Sequence, residues 1–152
     1  MARQLRLQYP GSLWHLSSLG NRSENIYYDN SDRDFFLELL GKCVTRFDWI
    51  LYAYVLLPNH FRLVIQLTAE TLSRGMQWLK GRYAQTLNRQ RHRRGHVFQG
   101  PFDGLLIDKE TYFLEVLREV VLSATKAGIV TRPEDYLWST HRAVLGEVEP
   151  PE

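Results

Sequence analysis

The sequence predicts an α+β fold of the ferredoxin-like, split β-α-β kind: a four-stranded antiparallel sheet with helices on one face plus a C-terminal helix. Two observations carry this. Strand-like and helix-like periods follow one another as strand, helix, strand, strand, helix, strand, helix. In the middle of that order, Pro58-Asn59 interrupts an apolar run that resumes at once, as a hairpin requires. The chain has 152 residues, 44% of them hydrophobic. That suffices for the core of one domain.

Residues 13–19 form the first strand, closed by Gly20-Asn21. Ser31-Asp32-Arg33-Asp34 resembles a capping box, with acids suited to the positive end of a helix. A helix over residues 32–47 follows, with Phe36, Leu40, Cys43 and Phe47 at its core-facing period. Residues 49–57 are apolar almost throughout, which predicts a central strand covered on both faces. Residues 61–67 return beside it. Thr71 or Ser73 opens the next helix, whose apolar stripe is Leu72, Met76, Leu79, Tyr83 and Leu87. Gly95 and Gly100-Pro101 mark a loop, and residues 102–107 a fourth strand. Asp108 caps a third helix, with Phe113, Val116, Leu117 and Val120 on one face and Gly128 at its end. Residues 133–136 start a short terminal segment that carries Trp138. The helices should back one face of the sheet and leave the other free to bind.

The second hairpin strand is the most informative. Alternation puts Phe61, Leu63, Ile65 and Leu67 on one apolar face. His60, Arg62, Val64 and Gln66 take the other, which opens on two polar groups. Two imidazoles at that spacing would make half a metal site, but the second position is arginine.

Basic and acidic residues nearly balance, at 19 and 17, yet four of the six residues from Arg89 to Arg94 are arginine. That run, Arg89, Arg91, Arg93 and Arg94 with His92 and His96 nearby, could track a phosphate backbone. It could equally be a solvated helix end, where the dipole favours cations. Cys43 is the only cysteine, which excludes an internal disulfide and any two-cysteine zinc site; it reads as a core thiol. No apolar run approaches a membrane span, and the N-terminus lacks a signal-peptide core. A cytoplasmic protein with no membrane partner is expected. Residues 147–152 are acidic and proline-rich, a tail expected to be disordered.

Seven blocks, in order, resemble the REP-associated tyrosine transposases, single-tyrosine HUH enzymes of the IS200-like family in bacteria. They are Tyr9-Pro10-Gly11, Gly20-Asn21-Arg22, Tyr54-Val55-Leu56-Leu57-Pro58-Asn59-His60, Gly81-Arg82-Tyr83, His96-Val97-Phe98-Gln99-Gly100, Ala127-Gly128-Ile129-Val130 and Pro133-Glu134-Asp135-Tyr136. The resemblance implies one HUH-transposase-like domain over residues 1–146. It implies enzymes that nick and join single-stranded DNA beside imperfect hairpins through a 5′-phosphotyrosine. Two histidines and a polar residue one helical turn after the tyrosine would hold a divalent cation that polarises the phosphate. It also implies a homodimer, and DNA contact through Arg82, the arginine run and, near the N-terminus, Arg3 and Arg6.

This sequence departs from that pattern where the chemistry lies. The first HUH histidine is His60, and the second position is Arg62. Guanidinium has only donors and stays charged, so it cannot ligate a metal and would repel one. The family's tyrosine helix corresponds to residues 118–128, with Glu119 at the nucleophile and Ser123 at the polar ligand. Glu119 and Ser123 are four apart and share a helix face. An ion pair from Arg62 to Glu119 would replace the metal with compensating charges.

The expectation is therefore a DNA-binding protein of transposase descent, recognising single-stranded or hairpin DNA, without catalysis and without a cofactor. Two alternatives stand. One is an active nuclease with an altered site, using His60, Glu119 and magnesium or manganese. The other is a decayed chain or a non-catalytic dimer partner. Tyr112 could substitute as nucleophile only from nearly two helical turns away, and Tyr83 reads as core. His60 reads as a polar strand residue, and His15 and His141 as structural. Trp49 and Trp138 read as core, and Trp78, off its helix's main stripe, as a base-stacking candidate.

Overall fold

The computed structural model describes residues 8–107 and 112–123. Its elements run β1 (Leu13–Leu19), α1 (Asn30–Phe47), β2 (Ile50–Leu57), β3 (His60–Gln66), α2 (Leu72–Gln90), β4 (Asp103–Ile107) and α3 (Phe113–Val121). The sheet order is β2-β3-β1-β4, with every neighbouring pair antiparallel. This is the expected α+β, split β-α-β architecture. Arg3, Arg6, the Asp108 cap, the Gly128 stop, the terminal segment with Trp138 and His141, and the acidic tail lie outside the described residues.

The main core fills the space between the sheet and the α1–α2 layer. Phe61, Leu63 and Ile65 of β3 enter it, as the alternation predicts, and meet Phe36, Leu40 and Cys43 of α1. The whole predicted α2 stripe, Leu72, Met76, Leu79, Tyr83 and Leu87, is buried there. The rings of Phe36 and Phe61 lie 4.8 Å apart, and Phe36 meets Tyr83 edge-on at 5.4 Å. Gly75 of α2 is needed for close approach: a Cβ there would lie 2.2 Å from Trp49 Cζ2. Trp49 is itself pinned, its indole N–H donating to Thr71 Oγ1 at 3.0 Å.

A second, smaller cluster lies on the opposite face. Leu13, Ala53, Val55, Leu57, Val64 and Ile107 pack there against Val120 of α3, with Phe113, Val116 and Leu117 beside it. The predicted apolar face of the third helix is thus correct. Its position changes the expectation of a free sheet face, because α3 covers the β2–β3 half.

Two further differences have local causes. Residues 49–57 were expected as a central strand, yet β2 is an edge strand. Its residues are apolar on both faces because α1 and α2 cover one side and α3 the other. A bulge between Leu51 and Ala53 shifts the register, so Tyr52 and Ala53 both belong to the α3-side cluster. The cap of α1 is Asp29, not the expected Ser31. Asp29 Oδ1 accepts from the Asp32 amide at 3.1 Å and from the Ser31 hydroxyl at 2.6 Å. Asp32 reaches back to the Tyr28 amide at 2.8 Å. At α2, Thr71 holds the N-cap position with its side chain given to Trp49, while Gln8 Oε1 accepts from the Ser73 amide at 3.4 Å.

Candidate functional site

Four elements converge on the half of the α3-side sheet face that α3 leaves open. β3 contributes His60 and Arg62. Antiparallel pairing brings Ser17 of β1 opposite Arg62 and His15 opposite Val64. It also brings Asp103 of β4 opposite Ser17. Glu119 and Ser123 come from α3 and the turn that follows it. Ser17, Leu19, Asn59, His60, Arg62 and Asp103 line a groove of about 400 Å³.

Arg62 organises this face. One terminal nitrogen of its guanidinium donates to Ser123 Oγ at 2.9 Å. The other lies 3.7 Å from Glu119 Oε1. Ser123 donates in turn to the Glu119 carbonyl at 3.1 Å, so its hydroxyl is used both ways. The Arg62 side chain is 23% exposed and that of Glu119 51%. The contact is therefore a partly buried cation facing a solvated carboxylate, too loose for a bidentate pair.

The histidines answer to that cation. His60 pairs its Nδ1 with Asn59 Oδ1 at 2.8 Å. Burial, then the Arg62 charge, lowers its pKa from the usual value. Burial also lowers that of His15, with Arg62 adding to the effect and Glu119 opposing it. The His15 Nε2 atom is buried without a hydrogen-bond partner. Sequence reading missed His15 as a member of this face. Its alternation with Leu13 and Ser17 was legible, but only the β1–β3 register places it near Arg62. As a donor set for a divalent cation the face fits poorly. Arg62 offers only hydrogens. Among the described residues no group of three His, Cys, Asp or Glu side chains is placed to hold a metal.

The arginine run divides into engaged and open members. Arg91 donates to Asp29 Oδ2 and to the buried Asp32 Oδ2, both at 2.9 Å, and lies over the Tyr28 ring. The Ser31 hydroxyl first, then Arg91, holds the Asp29 carboxyl well below the usual carboxylate range. Hydrogen bonds to Asp29 and Asp32 raise the pKa of Arg91. Arg93 donates to the Tyr28 hydroxyl at 3.0 Å. Arg91 thus joins the end of α2 to the start of α1. Arg89 and Arg94 are exposed. Arg82 lies over Trp78 at 5.3 Å and Arg46 at 5.7 Å, so guanidinium groups already occupy the ring that the sequence offered for base stacking. Tyr83 is core, as expected, its hydroxyl donating to the Ile26 carbonyl. Tyr112 stands exposed at the N-cap of α3.

Residues 13–114 match the family model described as "Transposase IS200 like". Among solved structures, the chain is similar to a REP-associated tyrosine transposase bound to a REP hairpin. The TM-score is 0.74 at 18% identity, covering 93% of this chain and 84% of that one. It is also similar to a candidate transposase from Deinococcus radiodurans R1, with a TM-score of 0.54 at 17% identity over 74% of this chain and 91% of that one. At such identities the likeness is one of fold. No curated protein matches the chain in sequence.

Proposed function

The chain belongs to the IS200-like transposase family, and from that premise we propose that it binds single-stranded or hairpin DNA without cutting it. The observation that carries the reading is Arg62, bonded to Ser123 and facing Glu119 where the family resemblance implies a metal and a tyrosine. A fixed guanidinium can hold a phosphate by hydrogen bonds and charge but cannot supply the Lewis-acid coordination of a bound metal cation. Glu119 is a poor substitute nucleophile, since attack by a carboxylate on phosphorus gives a mixed anhydride that water hydrolyses. No strand could be rejoined from it.

DNA contact on this reading runs through the exposed Arg89 and Arg94, with Arg62 inside the groove. Arg91 and Arg93 serve mainly to hold the loop. The proposal extends to a homodimer: β4 pairs with β1 on one side only and exposes 59% of Leu105.

One paired assay tests the reading. Gel shifts on hairpin DNA with a single-stranded flank are run across a salt series, and nicking is measured with magnesium or manganese. An Arg62→His/Glu119→Tyr double variant runs alongside. Salt-dependent binding without nicking by the unaltered chain is the expected result. Metal-dependent nicking by the unaltered chain would sink the proposal and make Glu119 or Tyr112 the next suspect.

A further inference from the structure

A cavity of about 520 Å³ lies between α2 and the loop that leads to β4, and it shares no lining residue with the Arg62 groove. Its size is ordinary for a small-molecule site, which typically measures roughly 300–1,000 Å³. Met76, Ala84, Val97, Phe98, Pro101 and Phe102 make the lining mostly apolar. One cation is set into it. Lys80 is only 8% exposed. Its ammonium donates to the Gly100 carbonyl at 3.0 Å and lies 5.0 Å from the centre of the Phe98 ring. Among the described residues no carboxylate forms an ion pair with it. A lysine kept only for its charge would extend its stem to water. A tie for the loop needs one hydrogen bond, which a neutral side chain supplies without the cost of desolvating an ammonium. Burial lowers the pKa of Lys80 to about 8, with Asp103 opposing the shift. Near neutral pH a sizeable share of the group is therefore free amine, with a lone pair at the wall of an apolar cavity.

We propose that Lys80 captures a small aromatic aldehyde in this cavity as a reversible imine. Desolvation in an apolar pocket is one of the ways a protein activates a lysine toward a carbonyl compound. The neutral amine attacks the carbonyl carbon, and a C–N bond forms as the carbonyl π electrons move to oxygen. A proton passes from nitrogen to that oxygen, giving a carbinolamine. The C–O bond then breaks, the oxygen leaves as water with the second nitrogen-bound proton, and the C=N bond remains. Nothing is oxidised or reduced. Phe98 and Phe102 offer the aldehyde's ring aromatic contact. Burial disfavours the charged ammonium and leaves the uncharged imine unpenalised. This chemistry stands apart from DNA binding, so either result below leaves that reading untouched.

The chain carries its own reference. Its lysines are Lys42, Lys80, Lys109 and Lys126, and the Lys42 side chain is 62% exposed. Salicylaldehyde is titrated into the full chain at about pH 7.5, where roughly a quarter of groups with a pKa of about 8 are neutral, against roughly one in a thousand at the ordinary 10.5. Borohydride fixes each imine as a secondary amine, and peptide mass spectrometry measures occupancy at each lysine. Half-labelling of Lys80 should need at least about 10-fold less aldehyde than that of Lys42, and the advantage should vanish in urea. Labelling of Lys80 should also climb through about pH 8 and level off, while that of Lys42 goes on rising. His96 is the other titratable residue in the lining, and His96→Gln should leave that midpoint in place. A Cβ built on Gly81 meets nothing within 4 Å, so Gly81→Leu enters the cavity without a clash at its root. It should bring Lys80 to the Lys42 level. Labelling of Lys80 no easier than that of Lys42 in the unaltered chain overturns the inference. So does an advantage that survives Gly81→Leu, since the cavity then plays no part in it.

Discussion

Replacing Glu119 by glutamine removes one negative charge beside Arg62 while keeping the side chain's shape. The two groups are 3.7 Å apart, and Glu119 is half exposed. Coulomb's law at the dielectric of water gives about 1 kcal/mol for unit charges at that separation. Exposed pairs measured in proteins contribute roughly 0.2–1 kcal/mol. The variant should therefore lose less than about 1 kcal/mol of stability, and its melting point should move by only a few degrees. Its effect on DNA should have the opposite sign. With the carboxylate gone, Arg62 is free to face a phosphate, and a local repulsion disappears. About 1 kcal/mol corresponds to about a five-fold rise in affinity. One added phosphate contact should steepen the plot of log affinity against log salt by about 0.7 for a single strand. The assay is fluorescence anisotropy on flanked hairpin DNA at several salt concentrations. Unchanged or weaker binding, with an unchanged salt slope, would refute the reasoning and remove Arg62 from the DNA path.

Three other outcomes are expected. Gly75→Ala should destabilise the fold by about 2 kcal/mol in urea melts, because overpacking against the pinned Trp49 outweighs the gain in helix propensity of about 1 kcal/mol. Arg91→Ala should melt earlier and speed amide exchange at the start of α1, yet change DNA affinity less than Arg89→Ala or Arg94→Ala does. Lys80 should leave a signature in the pH dependence of stability. Its folded pKa of about 8 lies below the ordinary 10.5, so between these values the unfolded chain holds the extra proton and stability rises with pH. Between pH 8 and pH 9 the rise should be about 1 kcal/mol in urea titrations, and Lys80→Met should flatten it.

Much of the fold was legible because burial imposes period. Alternation in residues 60–66 sorted the strand's two faces correctly, and the α2 stripe is buried without exception. Periodicity cannot tell a central strand from an edge strand covered on both sides, which is how β2 was misplaced. The α1 cap was misread because Asp29 and Ser31 are both good caps, and their mutual hydrogen bond decides between them. In the site, the spacing of Glu119 and Ser123 was readable from one helix, and the pairing of Glu119 with Arg62 was anticipated, whereas the Ser123 hydrogen bond to Arg62 was not. His15, Ser17 and Asp103 were not, since their nearness depends on strand register across distant segments. Arg91 looked like its neighbours in sequence, although only a tertiary contact separates a clamp from a free cation. Lys80 left a signal that was passed over. It lies four residues after Met76 and three before Tyr83, on the buried side of its helix.

The sheet is one layer thick between two unequal cores, and this bears on how the chain can change. Phe61, Leu63 and Ile65 hold the larger core, while Arg62 looks the other way from the same strand. Substitutions at Arg62, Glu119 or Ser123 therefore leave the larger core's packing untouched. A lineage can lose or rebuild its chemistry on one side of a strand while selection for folding acts on the other. The alternation that makes a strand also makes its reactive face separately evolvable.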